Sequence, residues 1–228
     1  MGLLPDGGAV EAAETAATPH KRRYAKRTGA NNVEWRRGEA LRTPVFWLIA
    51  STFGVAQIGV TGLNLHVFSY VTDQGHPTLV AASVMSIIAV MQFSTPIVWG
   101  TLADRMDNGI LNMAKCALQG AGLLLALSLE GLAPLYGGFF IYGIGMGGTA
   151  ILAETIWADF FGRISLGKIR GMGSLVTSVF SAGGPPFFGL LFDYTESYYL
   201  SFSIFIGMLF TSAVLSLCLR PPIKRLAL

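Results

Sequence analysis

The sequence predicts an all-α integral membrane protein, one bundle of six spanning helices, and three observations carry that expectation. Six stretches, at 44–71, 79–103, 110–129, 133–153, 172–192 and 199–219, each reach the length of about 20 mainly apolar residues that crosses roughly 30 Å of hydrocarbon. The composition is 52% hydrophobic and 13% charged, with a mean hydropathy of +0.55. That leaves too few polar residues to clothe six such helices in water. Finally, all sixteen Lys and Arg fall in alternate segments: the head 1–43, the turn 104–109 with the adjoining start of the third span, the stretch 154–171 and the tail 220–228. The other segments, 72–78, 130–132 and 193–198, hold none. Cations concentrated in short loops mark the cytoplasmic face. A multi-pass protein of the plasma (inner) membrane with both termini in the cytoplasm is the expectation.

Before the spans, residues 1–43 read as a cytoplasmic linker. The Gly/Ala/Glu-rich start and the basic cluster of Lys21, Arg22, Arg23, Lys26 and Arg27 offer too little apolar surface to offset the ordering entropy. No apolar run precedes the first span to act as a cleavable signal. The piece from Trp35 to Arg42 has helical character and is expected to lie along the interface, with Trp35 and Trp47 at headgroup depth. The spanning domain is 44–219 and the cytoplasmic tail 220–228. A net charge of +3 reflects orientation and contact with anionic lipid rather than nucleic acid.

The first span carries Gln57, Thr61 and Asn64 at three- and four-residue steps, with Tyr70 continuing the series and His66 at its margin. Such a polar stripe either faces a water-filled path, where His66 can bind solute or relay a proton, or bonds neighbouring helices. Gln92 in the second span is a weaker candidate of the same kind, and Pro96 is expected to bend that span. The third span holds the one interior charge, Lys115, whose stem is expected to carry its ammonium back to the headgroups. Very short turns at 104–109 and 130–131 force antiparallel neighbours in contact.

The fourth span is rich in glycine, with Gly143 and Gly147 on one face, a pattern that lets helix backbones approach. Gly143-x-Gly145-x-x-Gly148 matches a dinucleotide fingerprint only formally, since it lies inside an apolar span rather than after a strand. Glu154 and Asp159 end this span near Arg163, either as interfacial charges or as partners of Arg105 that hold one face shut. The longer stretch 160–171 divides the bundle into three plus three helices. In the fifth span, Gly184-Pro185-Pro186 removes two backbone donors, so a kink or break is expected there. Cys116 and Cys218 lie in spans with no metal-ligand spacing, and no nucleophile–base pattern, cofactor site or metal cluster is evident. An intramembrane enzyme is therefore set aside.

Several motifs in order resemble the major facilitator superfamily. Gly100-Thr101-Leu102-Ala103-Asp104-Arg105, between the second and third spans, resembles its Gly-x-x-x-Asp-Arg signature. His66, Tyr70, Thr72, Asp73 and Gly75 resemble a stretch of the monocarboxylate-transporter-like and oxalate-formate-antiporter-like branch. Phe161-Gly162-Arg163 through Ser165 to Gly171 is similar to the segment leaving that branch's tenth helix. Gly184-Pro185 with Gly189 and Phe192-Asp193 is similar to its eleventh.

The resemblance implies a twelve-helix carrier of two six-helix halves, of which this chain looks like the second. Met1 is then expected to be internal to a longer protein, because Gly2 to Gly7 is similar to the start of the loop joining the halves. It implies secondary transport of a small solute by alternating access, proton-coupled where His66 takes part, with an N-terminal six-helix half or a second copy as partner. It also implies a gate role for Asp104, whose carboxylate would meet the N-terminus of the fifth span near Met172. Pro96 stands where anion-carrying relatives place a cation, and Asp107 and Gly109 stand where the signature continues with glycine and basic residues. The competing reading is a non-transporting six-span packing partner or inactive remnant.

Overall fold

Six helices long and apolar enough to span a membrane form the computed structural model, which describes residues 35–162 and 164–222. The expectations for 1–34, for Arg163 and for 223–228 lie outside the described residues. Span one is Pro44–Asp73, span two Thr78–Ala103, span three Asn108–Ser128, span four Leu132–Phe161, span five Leu166–Thr195 and span six Tyr199–Ser216. A short helix, Arg37–Leu41, precedes them, and no strand occurs among the described residues. The chain is a multi-pass membrane protein with an all-α six-helix body.

Local chemistry sets the span boundaries. Thr43 caps span one, its hydroxyl accepting from the Phe46 amide at 3.3 Å, and Pro44 follows where no donor is needed. Asp107 caps span three by accepting from the amides of Gly109 and Ile110 at 2.8 and 3.3 Å. Gly162 stops span four at φ 76°, a conformation other residues rarely adopt. Span two is interrupted at Thr95, which keeps helical dihedrals (φ −79°, ψ −15°); the amide hydrogen that Pro96 lacks breaks the hydrogen-bond ladder there.

The core has two lobes along the membrane normal. Toward the end with few cations, Leu63, Val67, Tyr70, Phe139, Tyr142, Phe188, Phe202 and Phe205 pack together. Toward the cation-bearing end, Phe46, Phe53, Trp99, Leu152, Trp157 and Phe161 do the same. Trp35 joins this second lobe, buried against the end of span four. Its ring meets Phe161 edge-on at 5.6 Å and its amide donates to the Ser165 hydroxyl at 2.8 Å. Trp47 is half exposed, its indole N–H donating to the Leu41 carbonyl.

Glycines bring the backbones together. Spans three and four meet at Gly122 and Gly138, where a Cβ on either would fall 2.5 Å from a carbonyl of the other helix. Gly143 and Gly147 seat span four against Met91 and Thr95 of span two, the close packing their spacing suggested. Spans two and five remain the least covered, with 17% and 11% of their most apolar stretch buried against 44% or more elsewhere.

Lys115 overturns its expectation. It is fully buried, with Nζ 4.5 Å from the centre of the Phe53 ring, and its stem does not lead outward. The reason is position on the helix: Lys115 shares the inward face of span three with Asn108, Asn112 and Gln119, all buried. One aromatic face supplies about 0.5–2 kcal/mol to an ammonium. Taking that ammonium out of water costs several kcal/mol. The ring alone does not settle the account.

These approaches are testable by a pair of substitutions. Gly62→Ala places a Cβ 2.6 Å from the Gly184 backbone and is expected to destabilise the bundle by about 1–3 kcal/mol. Gly183→Ala meets nothing within 4 Å and is expected to be neutral or stabilising by a few tenths of that. Thermal unfolding of the detergent-solubilised chain measures both.

Candidate functional site: the crossing of spans one and five

Midway along span one the helix is not α-helical. Gly59–Leu63 forms a π-turn, in which the Asn64 amide reaches back five residues to the Gly59 carbonyl. An extra residue in one turn rotates everything after it relative to the 3.6-residue register. The stripe of Gln57, Thr61 and Asn64, drawn at α-helical steps, therefore does not stay on one face. Residues five apart across the turn now align, and Thr61 and His66 both face span five and its junction with span six.

Span five passes this point without a break. Its helix is continuous from Leu166 to Thr195 with Pro185 and Pro186 inside it, so of the kink or break expected at Gly184-Pro185-Pro186 the break does not occur. The physical reason lies in span one. Pro185 has no amide hydrogen, which deprives the Ser181 carbonyl of its donor four residues on. The Thr61 hydroxyl fills that role at 2.7 Å, while also lying 2.9 Å from the Gln57 carbonyl. Its one proton is shared between them. Gly62 and Gly184 let this happen: a Cβ on Gly184 would fall 2.6 Å from Thr61 Oγ1 and 3.0 Å from the Gly62 amide nitrogen.

His66 lies beyond the crossing. Its Nδ1 is 3.2 Å from the Tyr198 hydroxyl, and its ring sits 5.9 Å from that of Phe188 and 5.5 Å from that of Tyr198. Burial, reinforced by the carboxylates of Asp73 and Asp193, pushes the Tyr198 phenol above its ordinary value, against a smaller opposing effect of a hydrogen bond with Ser69. The phenol stays protonated, so its hydroxyl is able to donate to His66 Nδ1. Tyr70 leaves the stripe for the core, its hydroxyl donating to the Ala126 carbonyl of span three at 3.3 Å. Asn64 is half-buried with Oδ1 sealed from solvent and unpaired. Gln57 and Gln92 are half-buried, and the Gln92 backbone abuts Gly147.

At the cation-bearing end, Asp104 and Arg105 are exposed just past span two, and Gly100 has only Ile151 within ordinary contact of an added Cβ, at 3.7 Å. The Glu154 carboxylate forms an ion pair with Arg170, not with Arg105, because span five begins directly beside the end of span four. Asp159 accepts from the Asn108 side chain of span three. Both carboxylates thus tie span four to a neighbour.

Sequence reasoning missed the π-turn, Tyr198 and Ser181. The signals available were Gly59 and Gly62 close together in one span and a proline in another, but their encounter is not written in either segment. A groove between spans one and six, lined by Ser51, Thr52, Thr211 and Ser212 among others, was also not foreseen. The Thr52 and Thr211 hydroxyls donate to carbonyls of their own helices, so little polarity is left to grip a solute.

The Thr61 role has a clean test. Thr61→Val keeps the shape and removes the donor, with an expected cost of about 0.5–2 kcal/mol. Pro185→Ala gives the Ser181 carbonyl its own donor. In the double variant the Thr61→Val cost is expected to shrink to a few tenths of that, and a double-mutant cycle on thermal stability reads the coupling.

Comparison with known proteins agrees with this architecture. A sequence model of the Major Facilitator Superfamily matches residues 10–167, well over half of the chain. A zebrafish (Danio rerio) protein named monocarboxylate transporter 12-B is 27% identical over 191 residues, 79% of this chain and 40% of that relative. The chain thus spans well under half the length of the curated relative it matches. On that family match, which covers the first four spans, this chain belongs to the Major Facilitator Superfamily.

Proposed function

We propose that the chain serves as the C-terminal six-helix half of a secondary carrier that moves a small solute by alternating access, with both termini in the cytoplasm. The observation that carries this reading is the bareness of spans two and five in a member of this family. Leu79, Phe93 and Ile97 on span two, and Leu175, Val179 and Leu190 on span five, are more than half exposed. Two helices with such flanks suit burial against another helical unit as well as against lipid, and a second six-helix half or a second copy of the chain supplies one. The alternation of cations supports the cytoplasmic placement of the termini.

Movement between two states needs contacts that can break without unfolding the helices. The Glu154–Arg170 pair at one end and the His66–Tyr198 hydrogen bond at the other are contacts of this kind. His66 is the one histidine inside a span, and proton coupling through it fits its bond to a protonated phenol.

The relative's name concerns monocarboxylates. A free carboxylate at membrane depth calls for a positive partner. Within the spans the deeply placed cation is Lys115, and it faces the bundle interior. A small neutral solute, or an acid travelling with its proton, suits this half better than a bare anion.

The test is solute and proton flux in vesicles carrying the chain together with a six-helix N-terminal half. Flux that needs both parts supports the carrier reading. A stable chain that inserts, binds the other half and carries nothing identifies a packing partner. Asp104 is exposed at the end of span two. Asp104→Asn, at equal surface abundance, is expected to lower uptake at least several-fold without loss of insertion, as its place in the family signature implies. Full uptake by that variant removes Asp104 from the gate.

A further inference from the structure

Span three carries four polar side chains on one inward face, Asn108, Asn112, Lys115 and Gln119, at steps of four, three and four residues. All are at most 4% exposed. At about 1.5 Å per residue they reach roughly 16 Å along the helix, about half of the hydrocarbon thickness. They face Phe53 of span one, Thr149 of span four and Ser216 of span six. The carrier reading invokes only the charge of Lys115 and leaves the other three unused.

Their hydrogen bonds leave a definite remainder. The Ser216 hydroxyl donates to the Ser212 carbonyl at 2.7 Å, so toward Asn112 it can only accept. That forces the Asn112 amide nitrogen toward Ser216, at 2.7 Å, and turns Oδ1 away. Asp159, as a carboxylate, likewise takes the amide nitrogen of Asn108. Gln119 gives its nitrogen to the Thr149 hydroxyl at 3.4 Å. The oxygens of Asn108, Asn112 and Gln119 are buried without hydrogen-bond partners, and Lys115 Nζ has beside it only the weak acceptor Cys116 Sγ. Three acceptors and one triple donor thus line a single face.

We propose that this face is an internal hydration site, in which bound water bridges Lys115 Nζ to the side-chain oxygens of Asn112 and Gln119. Chemistry selects the occupant. A metal cation is repelled by the ammonium, and an anion by the carbonyl oxygens. Water accepts from Nζ and donates to oxygen, and a buried water makes about two to four such bonds. The Phe53 ring closes the side of Nζ toward span one, and the neighbouring Cys116 thiol is the titratable group beside it on span three. The site gives the bundle a hydrated positive charge behind span one, away from its polar stripe, and it stands whether or not the chain moves a solute.

The test uses the full chain in lipid bilayers with its five lysines labelled with nitrogen-15. Magic-angle-spinning NMR reads magnetisation transfer from water to each Nζ, and Lys115→Met assigns its signal by removing it. The expected result is transfer to Lys115 Nζ together with protection from a lipid-impermeant gadolinium chelate added on both sides. Gln119→Leu, which removes one oxygen anchor, is expected to cut that transfer by about half while leaving Lys168 unchanged. No transfer to Lys115 means a dry ammonium held by the ring and overturns the proposal. Broadening of Lys115 by the chelate means the side chain reaches the surface, and overturns it as well.

Discussion

A backbone carbonyl inside hydrocarbon that loses its donor has no water to turn to, and at the centre of this bundle that deficit is met by a side chain from another helix. Pro185 strips the Ser181 carbonyl of its partner, and Thr61 of span one supplies a hydroxyl at 2.7 Å. The supply works only because Gly62 and Gly184 let the two backbones touch. It also requires Thr61 to point at span five, and the π-turn at Gly59–Leu63 surrounds that residue. Proline, threonine, glycine pair and π-turn therefore form one mutually dependent unit.

Consequences spread from that unit along span one. The turn changes register, so the outer half of the helix faces differently from the inner half. His66 is delivered to Tyr198, and Tyr70 is delivered to the Ala126 carbonyl of span three. The stripe of Gln57, Thr61 and Asn64 is divided between a structural hydrogen bond and an unpaired amide oxygen at Asn64. π-Turns concentrate where proteins work, because the local ladder is already disturbed and costs less to rearrange.

The two ends of the bundle are held by different chemistry. At the end rich in cations, Glu154–Arg170, Asp159–Asn108 and the amide of Trp35 on Ser165 connect segments by charge and polar bonds. At the other end the contacts are largely aromatic, with Phe192 stacked on Tyr198 at 4.4 Å and Tyr70 tilted against Phe202 at 4.6 Å. Between the ends, glycine-mediated backbone contact takes over. Spans two and five join this scheme on one side only, span two against span four and span five against span one, and their other flanks are the barest of the six.

Span four runs on to Phe161 and span five starts at Leu166, well past the expected limits of 153 and 172. The sequence by itself determined the number and order of the six spans, their other boundaries to within about three residues, a disturbed helix at Pro96, the close packing through Gly143 and Gly147, and the family. Those features follow from composition, helical period and local capping, and each is complete within one segment. The tertiary structure decided the rest. Read alone, Gly184-Pro185-Pro186 predicts a kink or a break, since the donor that serves the Ser181 carbonyl lies 120 residues earlier in the chain. Read alone, Lys115 predicts a side chain reaching for the surface, because only packing shows which face of span three turns inward. The pairing of His66 with Tyr198 depends on a change of register that no α-helical projection contains. Local rules tell what each helix wants; which neighbour satisfies it depends on where six helices come to rest.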